Sequence, residues 1–333
     1  MTSERFKALR VEVEGEQVER QVTLVDPDVL PDNDVTIEVR YSSLNYKDAL
    51  SASGNRGVTK RFPHTPGIDA AGTVTASKDA RFSAGDEVLV TGYDLGMDTP
   101  GGFGQYIRVP ADWIVPLPAG LDAREAMILG TAGFTAAMGV AALMHQGVEP
   151  ASGPVLVTGA TGGVGCLAVA LLAGRGFEVV AGTGKSDAHD WLRELGAAAV
   201  IDRSELAGPG ERPLLSARWA AAIDTVGGQV LEQVVKTLDI GGAVAACGNV
   251  GGPELHLTVY PFILRGVSLL GIDSQHYPMP RRRELWSKLA SDWKPEALES
   301  VATEVGLEEL SKLIDAILEG RIRGRVLVRH DHP

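Results

Sequence analysis

The pattern of apolar residues along the chain changes near residue 125. Before that point, short apolar runs are separated by glycine and proline, and some alternate with polar residues. The runs predict strands, for example at 35–40, 87–90 and 106–109. Short strands broken by turns are typical of a small, mainly antiparallel β domain.

From residue 155 onward, apolar runs of strand length alternate with segments of helical period. This alternation indicates an α/β fold with a doubly wound parallel sheet covered by helices on both faces. The last part of the chain predicts two more helices and a strand that is a candidate to rejoin the first domain. The predicted strands are 155–158, 178–182, 199–201, 221–224, 243–247, 267–272 and 325–328, and the predicted helices are 164–174, 188–195, 228–238, 281–294 and 307–319.

The segment 126–144 contains no charged residue and is long enough to span a bilayer. It is rich in alanine and glycine, and no cluster of lysine or arginine flanks it. We therefore expect a buried helix and no membrane partner.

The composition narrows the class of protein. With 333 residues the chain is long enough for two domains, and a net charge of -12 argues against broad nucleic-acid binding. Its two cysteines allow one disulfide, but neither a disulfide scaffold nor a four-cysteine zinc site. The N-terminal residues are polar and no secretory apolar core follows them, so we expect a cytoplasmic enzyme.

A predicted strand that ends at Thr158 runs directly into a turn in which Gly159, Gly162 and Gly165 recur at every third position. Strand, glycine turn and helix start together predict a diphosphate-binding site, because glycine allows a close approach and a helix N-terminus offers free N–H groups. The spacing differs from the usual G-x-G-x-x-G, so a glycine-rich surface turn is the alternative. The residues expected to contact the diphosphate are Thr161, Gly162, Gly163 and Val164.

The second strand of this region ends in the sequence Gly-Thr-Gly-Lys-Ser, at 182–186. A NAD site normally has an acidic residue here to bind the ribose 2′-hydroxyl, whereas Lys185 can bind a 2′-phosphate. We therefore expect NADP(H), held at its 2′-phosphate by Thr183, Gly184 and Lys185. The alternative is that Lys185 is a solvated loop residue and that Asp187 binds the ribose.

Three further residues follow predicted strands, where a bound dinucleotide would pass. Asn249 is expected near the ribose or the nicotinamide, and Ser274 is a similar candidate after the last strand of the sheet. Arg203 follows the third strand and is a candidate to stack on the adenine; the alternative is a solvated arginine.

Motifs at 42–48 (SSLNYKD), 66–72 (PGIDAAG) and 130–136 (GTAGFTA) precede the glycine turn. In order and spacing, these motifs resemble those of the medium-chain dehydrogenase/reductase superfamily over essentially the whole chain. The similarity is greatest to the zinc-independent, quinone-reductase-like branch and its acrylyl-CoA reductase subgroup, which 244–248 and 261–265 also resemble.

The resemblance implies a domain organisation and an activity. A GroES-like catalytic domain is expected at 1–124 and 296–333, and a Rossmann cofactor-binding domain at 125–295. The implied reaction is the NADPH-dependent reduction of the activated C=C bond of acrylyl-CoA to propionyl-CoA by hydride transfer. Two alternatives stay open, an NADPH quinone or enone oxidoreductase and a cofactor-binding regulator without turnover. Relatives commonly form homodimers through an exposed sheet edge, for which 266–271 is the candidate.

Zinc-dependent relatives have a catalytic cysteine where this chain has Asn45, and a His-Glu pair where it has Ile68 and Asp69. Ile68 cannot bind a metal, and tetrahedral zinc needs three or four N, S or O donors. The resemblance therefore implies a reaction without a metal ion.

The catalytic candidates lie on the loop at 45–48. Asn45 stands at the position of the metal-bound cysteine, so its amide is expected to face the nicotinamide and to orient substrate or cofactor. Tyr46 offers a phenol that can donate to an enolate or supply a proton. Lys47 is expected to bind a substrate phosphate, and Asp48 to hold the loop together. The alternatives are that Asn45 caps a helix, that Tyr46 is packed, and that Lys47 and Asp48 form a surface pair.

Overall fold

The computed structural model describes residues 4–206 and 212–332. They form two compact units, the first made of the residues up to 131, 275–291 and from 298 on, and the second of 132–274 and 292–297. The strands are β1 (Phe6–Glu14), β2 (Gln17–Val25), β3 (Val35–Leu44), β4 (Asp69–Ser77), β5 (Glu87–Thr91), β6 (Tyr106–Val109), β7 (Ile114–Pro116), β8 (Val155–Val157), β9 (Val179–Thr183), β10 (Ala199–Asp202), β11 (Trp219–Asp224), β12 (Leu238–Ala246), β13 (Ser268–Gly271), β14 (Ala302–Gly306) and β15 (Arg325–Arg329). The helices are α1 (Tyr46–Ala52), α2 (Ala123–His145), α3 (Gly163–Ala173), α4 (His189–Glu194), α5 (Gly228–Thr237), α6 (Tyr260–Arg265), α7 (Met279–Leu289) and α8 (Leu310–Leu318).

The first unit contains a seven-stranded sheet in the order β14-β15-β3-β4-β5-β7, in which β6 also pairs with β3. All neighbours are antiparallel except β14 and β15. Alternate residues of β3, namely Val35, Ile37 and Val39, are buried in one apolar cluster, as the alternating sequence predicts. Strands β1 and β2 form a separate antiparallel hairpin.

The C-terminal strand β15 completes this sheet by pairing antiparallel with β3, which confirms the prediction that it rejoins the first domain. In this register Val326 lies opposite Leu44. The pairing therefore brings the start of β15 beside the residue that follows β3, Asn45.

The second unit is built on a six-stranded, fully parallel sheet in the order β10-β9-β8-β11-β12-β13. Numbered from β8, this is the order 3-2-1-4-5-6 of the Rossmann fold, which confirms the predicted α/β class. The order reverses between β8 and β11, the position at which such sheets bind ligands beyond the carboxyl ends of their strands.

Most elements predicted from residue 155 onward match the structure to within two residues, and the larger differences lie at element ends. Strand β12 begins at Leu238, five residues before the predicted start, because the chain turns directly from α5 into the strand. Helix α7 ends at Leu289 instead of 294. Helix α8 begins at Leu310 because the three preceding residues form a 3₁₀ turn, which an apolar pattern does not distinguish from α-helix.

In the part of the chain that the structure describes, α2 is the one helix that length and composition would allow to cross a membrane. Of its apolar window, 78% is buried inside the protein, which confirms the expected buried helix. The helix is kinked at Gly130, whose φ of 49° and ψ of -155° lie outside the helical region.

Candidate functional site

The glycine turn of the second unit connects the end of β8 to the start of α3. A Cβ atom on Gly165 would lie 2.3 Å from the Gly159 carbonyl oxygen and 2.7 Å from the Cα of Ala160, so only glycine fits there. A Cβ on Gly162 would meet nothing closer than 3.4 Å. The turn is therefore tight on its inner side and open in front of α3, whose first N–H groups have no acceptor within the helix. This arrangement fits a bound diphosphate.

Two buried threonines join the ends of β8 and β9. The hydroxyl oxygens of Thr161 and Thr183 are 3.3 Å apart, and Thr183 Oγ1 accepts a hydrogen bond of 3.1 Å from the backbone N–H of Lys185. The hydroxyl of Thr183 thus shapes the loop that carries Lys185. The structure brings these three predicted cofactor residues together.

Arg203 lies across the backbone of the same loop. A Cβ atom on Gly184 would come within 2.7 to 3.2 Å of the Cδ, Nε and Cζ atoms of Arg203. The exposed arginine therefore passes directly over Gly184, the neighbour of Lys185. Two cationic residues, Lys185 after β9 and Arg203 after β10, fit the 2′-phosphate of an NADP-type dinucleotide better than they fit a bare ribose.

Asn249 is exposed in the loop that follows β12, and this loop packs on the end of the neighbouring strand β11. The Gly251 N–H donates to the Val226 carbonyl at 2.7 Å, and a Cβ on Gly248 would lie only 1.9 Å from the Thr225 carbonyl oxygen. Asn249 therefore stands at the carboxyl ends of the strands beside the reversal of strand order. Ser274 is half-buried after β13, the edge strand of the same sheet.

In the first unit, the loop between β3 and α1 is held by Asp48. Its Oδ2 accepts from the backbone N–H of Asn45 and its Oδ1 from the N–H of Ile68, both at 2.8 Å. The carboxyl thereby caps α1 and ties it to the segment before β4, as expected for a residue that holds the loop together. Burial, together with the nearby charge of Asp69, raises the pKa of Asp48 to about 7, although both N–H donors favour the ionised form.

The side chain of Asn45 does not cap α1 but lies between two buried charges. Its Oδ1 accepts a hydrogen bond of 3.1 Å from Arg325 Nη1, and its Nδ2 donates to Asp69 Oδ2 at 2.8 Å. Nδ2 also lies 3.3 Å from the carbonyl oxygen of Ser43. Both amide hydrogens therefore have acceptors within the protein, and the amide oxygen is the part of Asn45 with bonding capacity left.

A second chain of hydrogen bonds runs parallel to the first. Arg325 Nη2 donates to Ser43 Oγ at 2.8 Å, and this hydroxyl donates to Asp69 Oδ2 at 2.6 Å. We call the buried group formed by Ser43, Asn45, Asp69 and Arg325 the Arg–Asp cluster. Each of its two branches leads from the guanidinium to the carboxylate, so every donor in it faces an acceptor.

The kink of α2 is what gives the Arg–Asp cluster its space. A Cβ on Gly130 would lie 2.6 Å from both Asp69 Oδ2 and Ser43 Oγ. The next residue, Thr131, donates its N–H to Asp69 Oδ2 at 2.9 Å and its hydroxyl to Oδ1 at 2.5 Å. In the 130–136 motif, Gly130 therefore leaves space for the Asp69 carboxylate and Thr131 binds it.

Tyr46 and Lys47 begin α1 and differ in how they are held. The ammonium of Lys47 donates to Gln275 Oε1 at 2.6 Å. Among the described residues, no hydrogen-bond partner is recorded for the half-buried Tyr46 hydroxyl. A phenol at a helix start can donate to an added oxyanion.

The donor set of the Arg–Asp cluster does not fit a zinc ion. The Asp69 carboxylate already accepts from Ser43, Asn45 and Thr131, and its charge is balanced by Arg325. Ile68 offers no lone pair. A cation at this position would meet the guanidinium and a single oxygen of Asn45, which is short of the three or four ligands that zinc requires.

Sequence reasoning missed the roles of Ser43, Asp69, Thr131 and Arg325. Three of them stand inside the quoted motifs, so the signal was a polar residue within an otherwise apolar or glycine-rich stretch. Arg325 lies outside these motifs, and a charged residue at the start of an apolar strand was its only signal.

Comparisons with known proteins agree with this geometry. Residues 31–119 match the family described as "Alcohol dehydrogenase GroES-like domain", and residues 163–291 match the family described as "Zinc-binding dehydrogenase". The chain is 47% identical to the putative quinone oxidoreductase YhfP of Bacillus subtilis, over 97% of this chain and 98% of that protein. It is also 47% identical to the probable acrylyl-CoA reductase AcuI of Escherichia coli, over 97% of this chain and 99% of that protein.

Solved structures give the same picture. The yhdH oxidoreductase of Salmonella enterica, crystallised with NADP, superposes with a TM-score of 0.95 at 47% identity, over 98% of this chain and 100% of that one. The B. subtilis protein yhfP with NAD bound gives 0.94 at 47% identity, over 98% and 99% of the two chains. The chain therefore belongs to the quinone-reductase-like branch of the medium-chain dehydrogenase/reductase family, a family of oxidoreductases.

Proposed function

We propose that the protein reduces the activated C=C bond of acrylyl-CoA to propionyl-CoA, with NADPH as hydride donor and without zinc. The observation that carries the proposal is the near full-length likeness to the E. coli acrylyl-CoA reductase. The cluster around Asp69 adds support, because it is built for buried hydrogen bonds and does not offer a metal site.

The cofactor is NADP(H) in this proposal. Thr161, Gly162, Gly163 and Val164 bind the diphosphate at the start of α3, and Asn249 and Ser274 lie along the path of the ribose and nicotinamide. Thr183, Gly184 and Lys185 hold the 2′-phosphate, and we propose that Arg203, which lies over Gly184, joins them instead of stacking on the adenine. The relative yhfP was crystallised with NAD, which favours the alternative that NAD is the cofactor and that Asp187 binds the ribose.

When bound, NADPH supplies a hydride from C4 of its nicotinamide to the β-carbon of the substrate. Negative charge then develops on the thioester oxygen, and the hydroxyl of Tyr46 donates a hydrogen bond to it. A proton delivered to the α-carbon completes the addition of H⁻ and H⁺ across the double bond. No Lewis acid is required, because the thioester already activates the alkene.

The other residues of the 45–48 loop hold Tyr46 in place or bind the substrate. Asn45 orients the loop through the Arg–Asp cluster, in which its amide oxygen accepts from Arg325. Asp48 fixes the first turn of α1. Lys47, whose ammonium also donates to Gln275, binds a phosphate of coenzyme A.

We assign the catalytic role to a GroES-like domain at 1–124 and 296–333 and cofactor binding to a Rossmann domain at 125–295.

We also propose a cytoplasmic location. Support comes from Cys166 and Cys247, neither of which forms a disulfide, as is usual in a reducing compartment. Fractionation of the source cells tests this, and recovery with an extracellular or membrane fraction contradicts it.

A homodimer built on the edge of the parallel sheet is the proposed assembly. Strand β13 is an edge strand, and in the preceding helix α6 the side chains of Ile263 and Leu264 are 68% and 62% exposed. Exposed apolar side chains beside an unpaired strand edge favour pairing with a second copy.

Light scattering tests this assembly. It should give the mass of two chains for the wild type and of one chain for Ile263→Asp. Leu24→Asp, at another exposed leucine, should stay dimeric; a monomeric wild type refutes the assembly.

A quinone or enone oxidoreductase is the second candidate, favoured by the likeness to the putative quinone oxidoreductase YhfP. A regulator that binds the cofactor without turnover is the third. Following NADPH absorbance with acrylyl-CoA, a quinone and no acceptor separates the three. A strong preference for the CoA thioester supports the proposal, turnover of quinone alone supports the second candidate, and binding without oxidation supports the third.

A further inference from the structure

We propose that Arg325 is a positioning residue, whose guanidinium fixes the orientation of the Asn45 amide and thereby the start of α1 with the Tyr46 hydroxyl. Its kinetic test rests on the proposed function. Its spectroscopic test does not, so the two can fail separately.

The polarity of the Arg–Asp cluster allows one orientation of the amide. Arginine only donates and an ionised carboxylate only accepts, so Oδ1 of Asn45 must face Arg325 and Nδ2 must face Asp69. Turning the amide by 180° would bring its hydrogens against the guanidinium and its oxygen against the carboxylate. Asn45 is therefore held by opposite charges on its two sides, and its side chain is only 8% exposed.

Arg325 also binds the backbone on either side of this amide. Nη1 lies 3.3 Å from the carbonyl oxygen of Leu44, the last residue of β3, and Nε donates to the carbonyl of Ile128 at 3.0 Å. One planar group thus connects the end of β3, the N-cap of α1 and the turn before the α2 kink. A lysine would keep the charge, but its ammonium cannot reach these acceptors in the same geometry.

Charge balance alone does not explain this arrangement. The closest approach of Arg325 Nη2 to Asp69 Oδ2 is 3.8 Å, whereas its bond to Ser43 Oγ is 2.8 Å. The guanidinium is thus aimed at the groups between the two charges. Arg325→Lys, which preserves charge and changes direction, therefore separates positioning from neutralisation.

The start of α1 transmits the orientation to Tyr46. Asn45 is the N-cap residue, its backbone N–H is fixed by Asp48, and Tyr46 is the first residue of the helix. A shift of the amide moves the phenol that follows it. Displacement of a reacting group by about 1 Å is enough to slow a reaction about a hundredfold.

Asparagine-selective ¹⁵N labelling provides the spectroscopic test. The chain has four asparagines, at 33, 45, 55 and 249, and the Asn45 side-chain pair is identified by its loss in Asn45→Ser. In the wild type we expect this pair to exchange slowly with solvent. In Arg325→Lys we expect shifted signals and exchange at least about tenfold faster, since a lost hydrogen bond of about 1 to 2 kcal/mol corresponds to roughly that factor.

The matched control is Arg329→Lys, on the same strand but exposed and paired with Glu304 and Asp331. We expect kcat for acrylyl-CoA to fall about a hundredfold in Arg325→Lys, with KM for NADPH within about twofold of wild type, and no change in the control. Unchanged Asn45 signals overturn the proposal, and so do shifted Asn45 signals with an unchanged kcat.

If Arg325→Lys does not fold, Ser43→Ala is the second variant. It interrupts one branch of the Arg–Asp cluster and should give smaller changes in the same direction; no change there overturns the proposal as well. A wild type without turnover refutes the proposed function and leaves the labelling experiment to judge Arg325.

Discussion

Arg325 and Asp69 are separated by 256 positions in the sequence, yet their charged groups approach to 3.8 Å, with side chains only 3% and 0% exposed. Ser43 and Asn45 connect them through hydrogen bonds. Removal of one partner of such a buried pair leaves the other charge uncompensated, so we expect substitutions around this pair to be destabilising.

Gly130→Ala should destabilise the first unit. The new Cβ would lie 2.6 Å from Asp69 Oδ2 and Ser43 Oγ, and the positive φ of this residue strains any side chain. We expect a loss of about 2 to 4 kcal/mol in the free energy of unfolding, measured by chemical denaturation. Gly139→Ala in the same helix is the control, because its Cβ would make only ordinary contacts from 3.4 Å; equal losses in both variants would contradict this account.

Lys185→Ala should weaken NADPH binding far more than NADH binding. Loss of a charged hydrogen bond to the 2′-phosphate predicts a fall in NADPH affinity of about tenfold to a hundredfold, and little change for NADH. Fluorescence titration with both nucleotides measures the difference. Lys78→Ala, at an exposed lysine paired with Asp32, should change neither affinity. Equal losses for the two nucleotides in Lys185→Ala would remove the 2′-phosphate role.

Gly184→Ala tests the placement of Arg203. The added methyl would occupy the space of the arginine side chain, which is exposed and can swing away without unfolding the loop. NADPH affinity should fall by up to about tenfold, with NADH affinity and thermal stability nearly unchanged. Gly306→Ala, where a Cβ meets nothing within 4 Å, is the control. A Gly184→Ala variant that binds NADPH as the wild type does would rule out a contribution from Arg203 in this position.

Tyr46→Phe should slow the reaction without affecting the cofactor. Removal of one donor to a developing oxyanion typically lowers kcat about a hundredfold or more, and we expect KM for NADPH to stay the same. Steady-state kinetics with acrylyl-CoA measure both, and Tyr41→Phe on β3 serves as the control. Full activity of Tyr46→Phe would assign the donor role to another group.

The stability of the protein should decrease in mild acid because of His330. Its Nε2 donates to the carbonyl of Gly102 at 2.8 Å, while among the described residues its buried Nδ1 has no partner, so the neutral ring is favoured and burial lowers its pKa to about 4. The unfolded chain binds a proton near pH 6.5 and the folded chain does not, so the free energy of unfolding falls as pH drops below 6.5. By pH 5 this loss amounts to about 2 kcal/mol.

Chemical denaturation at pH 7.5 and pH 5 measures this effect. His330→Gln should lose less stability than the wild type over this interval, whereas His145→Gln, at an exposed position, should behave as the wild type does. Identical pH dependence in all three proteins would show that His330 does not contribute. Buried His64, whose pKa is also lowered to about 4, contributes in the same direction in every variant.

The sequence predicted the second unit well because its signals are local. A buried parallel strand is a short apolar run, a crossover helix has its own period, and the turn before α3 needs glycine where a Cβ would overlap the backbone. Each of these features is encoded within about a dozen residues. The cofactor class followed from one loop for the same reason.

The charged side chains gave weaker signals. By composition, the arginines at 281–283 are typical of a solvated helix surface, yet Arg282 is 1% exposed, donates to the carbonyl and hydroxyl of Thr91, and covers the ring of Tyr93 at 4.6 Å. The residues next to Arg282 in the sequence do not indicate that it is buried. Which member of a charged run is buried depends on partners that the run itself does not specify.

The sequence by itself determined the parallel sheet, the glycine turn and the cationic loop, since periodicity and steric demand act between near neighbours. Only the tertiary structure decided that Asn45 lies between Arg325 and Asp69, because that contact requires β15 to pair with β3 in one register and α2 to kink at Gly130. Hydrogen bonds between residues hundreds of positions apart depend on how strands pair, and no short stretch of sequence contains that information.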